Sequence, residues 1–149
     1  MKRRDKGRIK DGLILRKGYG EFILGVSITK YLQKCFTMKV YKEKVYTNEC
    51  YIFENDNVEI WCENGIINTI RCDTYCIYNG YNLINMNFND FLLRFKWEPS
   101  DKDMIYLSNN GKGQNQQVYE FEKEGLQIWV WRDKIIRTVL IYNPQMYHG

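Results

Sequence analysis

The residues of this chain whose types could carry chemistry are five cysteines, one histidine and a few neighbouring carboxylates. Cys72 and Cys76 are close enough in sequence to ligate one metal ion, but a structural zinc site takes four ligands at short spacings. No second pair follows, and His148 is the only histidine. Cys35, Cys50, Cys62, Cys72 and Cys76 are odd in number and lack the spacing of a small secreted domain, so they read as free thiols, buried or half-buried. A nucleophilic triad needs a positioned base, for which His148, next to the last residue, is a poor candidate. Gly18-Tyr19-Gly20 and Gly111-Lys112-Gly113 lack the spacing of phosphate-binding loops. Glu54 with Glu59 and Glu120 with Glu122 fall in strand-like segments, where such pairs are solvated faces. The expectation is a binding protein with no catalytic residue, metal ligand or cofactor.

The elements that would position a binding surface occur twice. Tyr51-Ile-Phe53-Glu54, followed by Val58-Glu-Ile60-Trp61, matches Tyr119-Glu-Phe121-Glu122, followed by Leu126-Gln-Ile128-Trp129, at an offset of 68 residues. After one residue of slippage, Ile66-Ile67-Asn-Thr69 matches Ile135-Ile136-Arg-Thr138. A helix candidate precedes each copy. Ile28, Tyr31, Leu32, Cys35 and Phe36 follow helical spacing behind a Ser27 cap, and Phe88, Phe91, Leu92 and Phe95 do so behind Asn87. Asp90 falls in the first turn of the second helix, where the macrodipole favours an acid. Turn residues Glu63-Asn64-Gly65 and Glu122 to Gly125 separate strand-like runs.

These patterns predict an α+β fold, a tandem αβββ repeat forming an antiparallel sheet with helices packed on one face. The predicted organisation is one domain: a basic arm over 1–18, a first αβββ unit over 19–80, and a second over 81–149. An extended loop is expected over 99–113, where Pro99, Ser100-Asp-Lys-Asp103 and Ser108-Asn-Asn-Gly carry turn chemistry. Tyr75, Tyr78 and Tyr81 are expected in a long third strand leading into the second helix.

Alternation then sorts the faces. Val58, Ile60 and Cys62 share one face, as do Leu126, Ile128 and Val130, and these should meet the helices. Glu59 and Trp61, and Gln127, Trp129 and Trp131, share the other. Tryptophans mixed with polar groups suit a contact surface, so Trp61, Trp129 and Trp131 are the candidate partner-binding residues, with Glu59 and Gln127 adding polar specificity.

The composition fits a globular protein, with 44% hydrophobic and 27% charged residues, and 12 Tyr, 7 Phe and 4 Trp against 2 Pro favour strands. The formal charge is +4, yet positions 1–17 carry eight cations and two acids, leaving the remainder slightly acidic. No apolar run reaches the roughly 18–20 residues that a membrane-spanning helix needs. No uncharged apolar segment follows the basic start, so a cytoplasmic location is expected.

The segment Gly20-Glu-Phe22-Ile-Leu24-Gly25-Val-Ser27-Ile28 resembles the F-x-L-G-x-S-I opening of small bacterial helix-plus-sheet units. In the second copy Ile84-Asn85-Met86-Asn87 replaces Leu-Gly-x-Ser, without the glycine. Duplicated, such a unit resembles the β-lactamase inhibitor protein architecture, whose concave sheet grips a partner protein. Small chains rich in Asn, Ile, Tyr and Lys also resemble immunity proteins of polymorphic toxin and contact-dependent growth inhibition systems. The resemblance implies a protein-binding inhibitor that neutralises one cognate protein toxin. The alternative is a nucleic-acid-binding module using the aromatic sheet face and the basic arm, but the carboxylates near the tryptophans oppose a phosphate backbone.

Overall fold

A computed structural model describes residues 12–42, 47–109 and 112–147. The basic residues at positions 2–10 and His148 lie outside the described residues, and so does the tip of the 99–113 segment.

Period-two alternation builds the frame. Val58–Glu63 (β6) and Leu126–Val130 (β12) bury every second side chain: Ile60, Cys62, Leu126 and Ile128 are fully enclosed, and Glu59, Trp61, Gln127 and Trp129 are half-buried. Thr37–Lys42 (β4), Thr47–Phe53 (β5), β6 and Ile66–Cys72 (β7) form one antiparallel meander. Asp101–Asn109 (β10), Lys112–Phe121 (β11), β12 and Ile136–Ile141 (β13) form another. The meanders join through β13 and β7, giving an eight-stranded antiparallel sheet with β10 and β4 at its edges.

Smaller elements surround the sheet. Leu13–Ile14 (β1), Gly18–Tyr19 (β2) and Phe22–Ile23 (β3) form a three-stranded sheet, and Ile77–Tyr78 (β8) pairs with Tyr81–Asn82 (β9). The one α-helix among the described residues is Phe88–Phe95 (α1). One cluster of buried side chains joins Leu13, Phe22, Tyr31, Phe91 and Leu83 to the sheet's enclosed aliphatics. Phe88 stacks on Tyr119 at 4.2 Å between centroids, and Phe91 meets Phe121 edge-on at 5.7 Å.

Backbone contacts recur between the two halves. Gly25 N–H donates to the Ile67 carbonyl and Asn85 N–H to that of Ile136, both at 2.8 Å. Ile28 donates to Gly65 and Phe88 to Lys134, again at 2.8 Å. Single bridges pair Ser27 with Ile66 and Asn87 with Ile135. Each meander carries a register shift just after its tryptophan, Trp61 in one and Trp129 in the other. Left-handed residues coincide as well: Gly25 (φ 89°) with Asn85 (73°), and Asn57 (57°) with Gly125 (73°). Asn85 therefore holds the backbone shape that Gly25 holds, because asparagine tolerates this region better than most residues.

Several expectations need correction. The helix foreseen over 28–36 is a 3-10 turn, Ile28–Tyr31, with Ser27 capping it through Thr29 N–H. Its hydrogen bonds reach back three residues, as in Lys30 to Ser27 and Leu32 to Thr29. The Tyr31 hydroxyl is fixed between the Glu21 carbonyl and Ile23 N–H, while Phe36 packs on Tyr51 and Phe53; the chain leaves the helical path between these anchors. The 99–113 segment is not a loop. Its described residues from Asp101 onward lie in β10 and β11, paired from Asp101 with Glu120 to Asn109 with Lys112. Each meander has four strands rather than three. The strand expected through Tyr75 to Tyr81 stops at Cys72, and Asn79 (φ 51°) and Gly80 (φ 83°) turn a separate hairpin. Finally, residues 13–18 of the expected arm carry β1 and enter β2, with Leu13 buried against the core.

Candidate functional site

Strand pairing lines up one row of side chains across the face opposite the aliphatic core. From Ile52 it passes through Glu59, Arg71, Leu140 and Gln127 to Glu120. Trp61 stands beside this row between Cys50 and Thr69, and Trp129 stands on its other side between Val118 and Thr138. Because β7 and β13 run antiparallel, the two indoles lie diagonally across the centre. Of the predicted site residues, Glu59, Trp61, Gln127 and Trp129 thus share one face, all half-buried.

Trp131 is placed differently. It stands just past the end of β12, with the Arg137 guanidinium 5.0 Å from its ring centre. Arg137 is the extra residue of the β13 register shift and is held by Asn85 at 2.9 Å and Asp133 at 2.8 Å. The Trp131 indole nitrogen is buried and has no hydrogen-bond partner among the described residues.

A polar chain fixes the second tryptophan. Trp129 Nε1 donates to Gln127 Oε1 at 2.8 Å, Gln127 Nε2 donates to Glu120 Oε1 at 3.0 Å, and the Tyr142 hydroxyl donates to Glu120 Oε2. The Arg71 guanidinium lies 5.7 Å from the Trp129 ring centre and pairs with Asp73 at 3.0 Å. Asp73 also accepts from the Thr138 hydroxyl at 2.7 Å. On the other side Tyr41 stacks on Trp61, centroids 5.5 Å apart and planes 21° apart. Such pinned aromatics lose little freedom when a partner covers them.

The face is acidic. Glu59, Asp73, Asp101 and Glu120 outnumber the cations Lys39 and Arg71 along these rows. Asp101, Glu120, Glu122, Gln127 and Tyr142 also line a pocket of about 590 Å³. Cys50, although on this face, is enclosed, and its thiol donates to Glu59 Oε1 at 3.6 Å. Burial, then the Glu59 charge, pushes that thiol up to about 12, so it stays protonated at neutral pH. On the core side, Cys72 and Cys76 are free, enclosed thiols, and burial beside Cys72 raises Cys76 well above its usual range.

Sequence reasoning missed Arg71, Asp73, Tyr41 and Tyr142. Arg71 was within reach, since alternation along Ile66–Cys72 puts it opposite buried Ile70 and Cys72. The meeting of Arg71 with Trp129 was not, because it crosses the junction of the two meanders. Glu54, expected in a strand-like segment beside Glu59, lies in a 3-10 turn between β5 and β6. No helix among the described residues is long and apolar enough to cross a membrane. No family model matches the chain, and neither a curated protein nor a solved structure does.

Proposed function

We propose that the chain is a protein-binding inhibitor, most simply an immunity protein that neutralises a cognate bacterial toxin by direct binding. In this reading it is a single cytoplasmic domain, a tandem repeat of a helical turn followed by an antiparallel meander. It needs no cofactor and performs no catalysis. The recurring backbone bonds at Gly25 and Asn85, and the register shifts beside Trp61 and Trp129, support the duplication.

The observation that carries the reading is the pairing of two pinned, half-buried indoles with an acidic row on one sheet face. Aromatics supply contact area at little entropic cost, and carboxylates favour a basic partner. A toxin that acts on nucleic acid carries cations around its active site. The carboxylates of Glu59 and Glu120 would stand in for phosphates, while the tryptophans anchor the edges of the contact. Inhibition would follow from occlusion of that site.

The test is affinity capture of the tagged protein expressed together with its neighbouring genes, read by mass spectrometry. The expected result is one stoichiometric protein that is toxic alone and harmless with this chain. Capture of nucleic acid only, released steeply by salt, would replace this reading with the nucleic-acid alternative.

A further inference from the structure

A cavity of about 990 Å³ opens between the three-stranded sheet, the 3-10 turn at Ile28–Tyr31 and β8. It is separate from the tryptophan face, and its size is at the upper end of small-ligand sites. Ile14, Tyr19, Phe22, Ile23, Tyr75 and Ile77 supply apolar lining. Three of these keep unusual exposure: Ile14 at 40%, Ile23 at 41% and Tyr75 at 51%.

The polar groups of the wall are largely engaged. The Tyr31 hydroxyl donates to the Glu21 carbonyl at 2.6 Å and accepts from the Ile23 N–H at 3.1 Å, and the Tyr19 hydroxyl accepts from the Ile77 N–H at 3.1 Å. The carboxylates that border the cavity, Glu21 and Asp56, both pair with Lys34, at 2.9 and 3.5 Å. Lys17 and Lys30 also border it, are exposed, and form no ion pair with these acids. The Lys30 ammonium instead lies 5.8 Å from the Tyr31 ring centre. Lys34 offsets one of the two acid charges, so with Lys17 and Lys30 three lysines face two carboxylates, and an apolar hollow with this cationic surplus attracts an anion with an apolar body.

We propose that this cavity binds a small amphipathic carboxylate, its apolar body against Ile14, Ile23 and Tyr75 and its carboxylate between Lys17 and Lys30. The lysines select charge, and the hollow selects an aliphatic or aromatic tail. This site is independent of partner binding on the tryptophan face.

Decanoate below its micellar concentration is the probe, titrated into isotope-labelled protein. The expected result is a saturable shift of the Ile14, Ile23 and Ile77 methyl signals, with the Ile60 and Ile128 methyls unmoved. In the Lys17→Gln/Lys30→Gln double variant the affinity should fall about tenfold, the effect of losing two exposed charge contacts. Decanol should bind wild type more weakly by a similar factor. Both lysines are exposed, so the variant should keep the fold, which its unchanged melting curve would verify. Absence of a saturable shift in wild type overturns the proposal, as do shifts spread through the core. Equal affinities of decanoate and decanol would overturn it too.

Discussion

At the scale of single residues, backbone handedness and burial set the sharpest expectations. Gly125 and Gly65 both hold left-handed backbone, with φ of 73° and 81°. A Cβ on Gly125 would lie 2.2 Å from the Tyr142 carbonyl oxygen, whereas one on Gly65 meets nothing within 4 Å. Gly125→Ala should therefore lose about 3 kcal/mol, from left-handed strain and overpacking together, and Gly65→Ala only about 1 kcal/mol. Urea unfolding of the two variants checks the order, and equal losses would refute it. The thiols give a second expectation. Cys35 is exposed and Cys50, Cys62, Cys72 and Cys76 are buried, so Ellman's reagent should meet one fast thiol in the native protein, absent from Cys35→Ser. Burial raises Cys50 and Cys62 to about 12 from 9.0, meaning the folded state holds these protons more tightly than the unfolded chain. Their contribution to stability is complete below pH 9 and is lost as pH climbs toward 12. The melting temperature should fall across that window.

At the scale of elements, the two caps differ in what they hold. Asn87 accepts from two backbone N–H groups, those of Asn89 and Asp90, at the start of an eight-residue α-helix, whereas Ser27 accepts from one, that of Thr29, before a four-residue 3-10 turn. Asn87→Ala should cost about 1 kcal/mol by thermal unfolding, and Ser27→Ala measurably less. Both caps were legible in the sequence, because a polar cap before helically spaced apolars is a local signal. The central strands β6 and β12 were legible for the same reason, since Val58-Glu59-Ile60 and Leu126-Gln127-Ile128 alternate without interruption. The edge strands were not. Thr37–Lys42 has one unpaired edge and exposes Met38, Val40 and Tyr41, so burial imposes no clean alternation there. Asp101–Asn109 opens and closes with polar residues, and its pairing becomes visible only with β11 beside it. The short first helix was misread because Leu32 and Phe36 supply helical spacing while Phe36 serves the sheet; Leu32 is exposed.

At the scale of the whole molecule, the junction of the meanders organises the candidate site. Ile70 pairs with Ile141, Arg71 with Leu140, and Cys72 with Val139. At the sequence offset of 69 that aligns these strands, Arg71 faces its own counterpart, Leu140, while Ile70 and Cys72 each face the other's counterpart, as at the centre of a two-fold dimer. This arrangement sets Trp61 and Trp129 diagonally about the acidic row and sends Arg71 of one half against Trp129 of the other. The faces were readable from alternation alone, whereas this diagonal required knowing which strands meet. The most direct measurement compares the captured partner's affinity for wild type and for the Trp61→Ala/Trp129→Ala variant by calorimetry, with both proteins shown to melt cooperatively. Loss of at least about 2 kcal/mol, a hot-spot effect, is the predicted result. Unchanged affinity in a folded variant would contradict the assignment of this sheet face as the gripping surface.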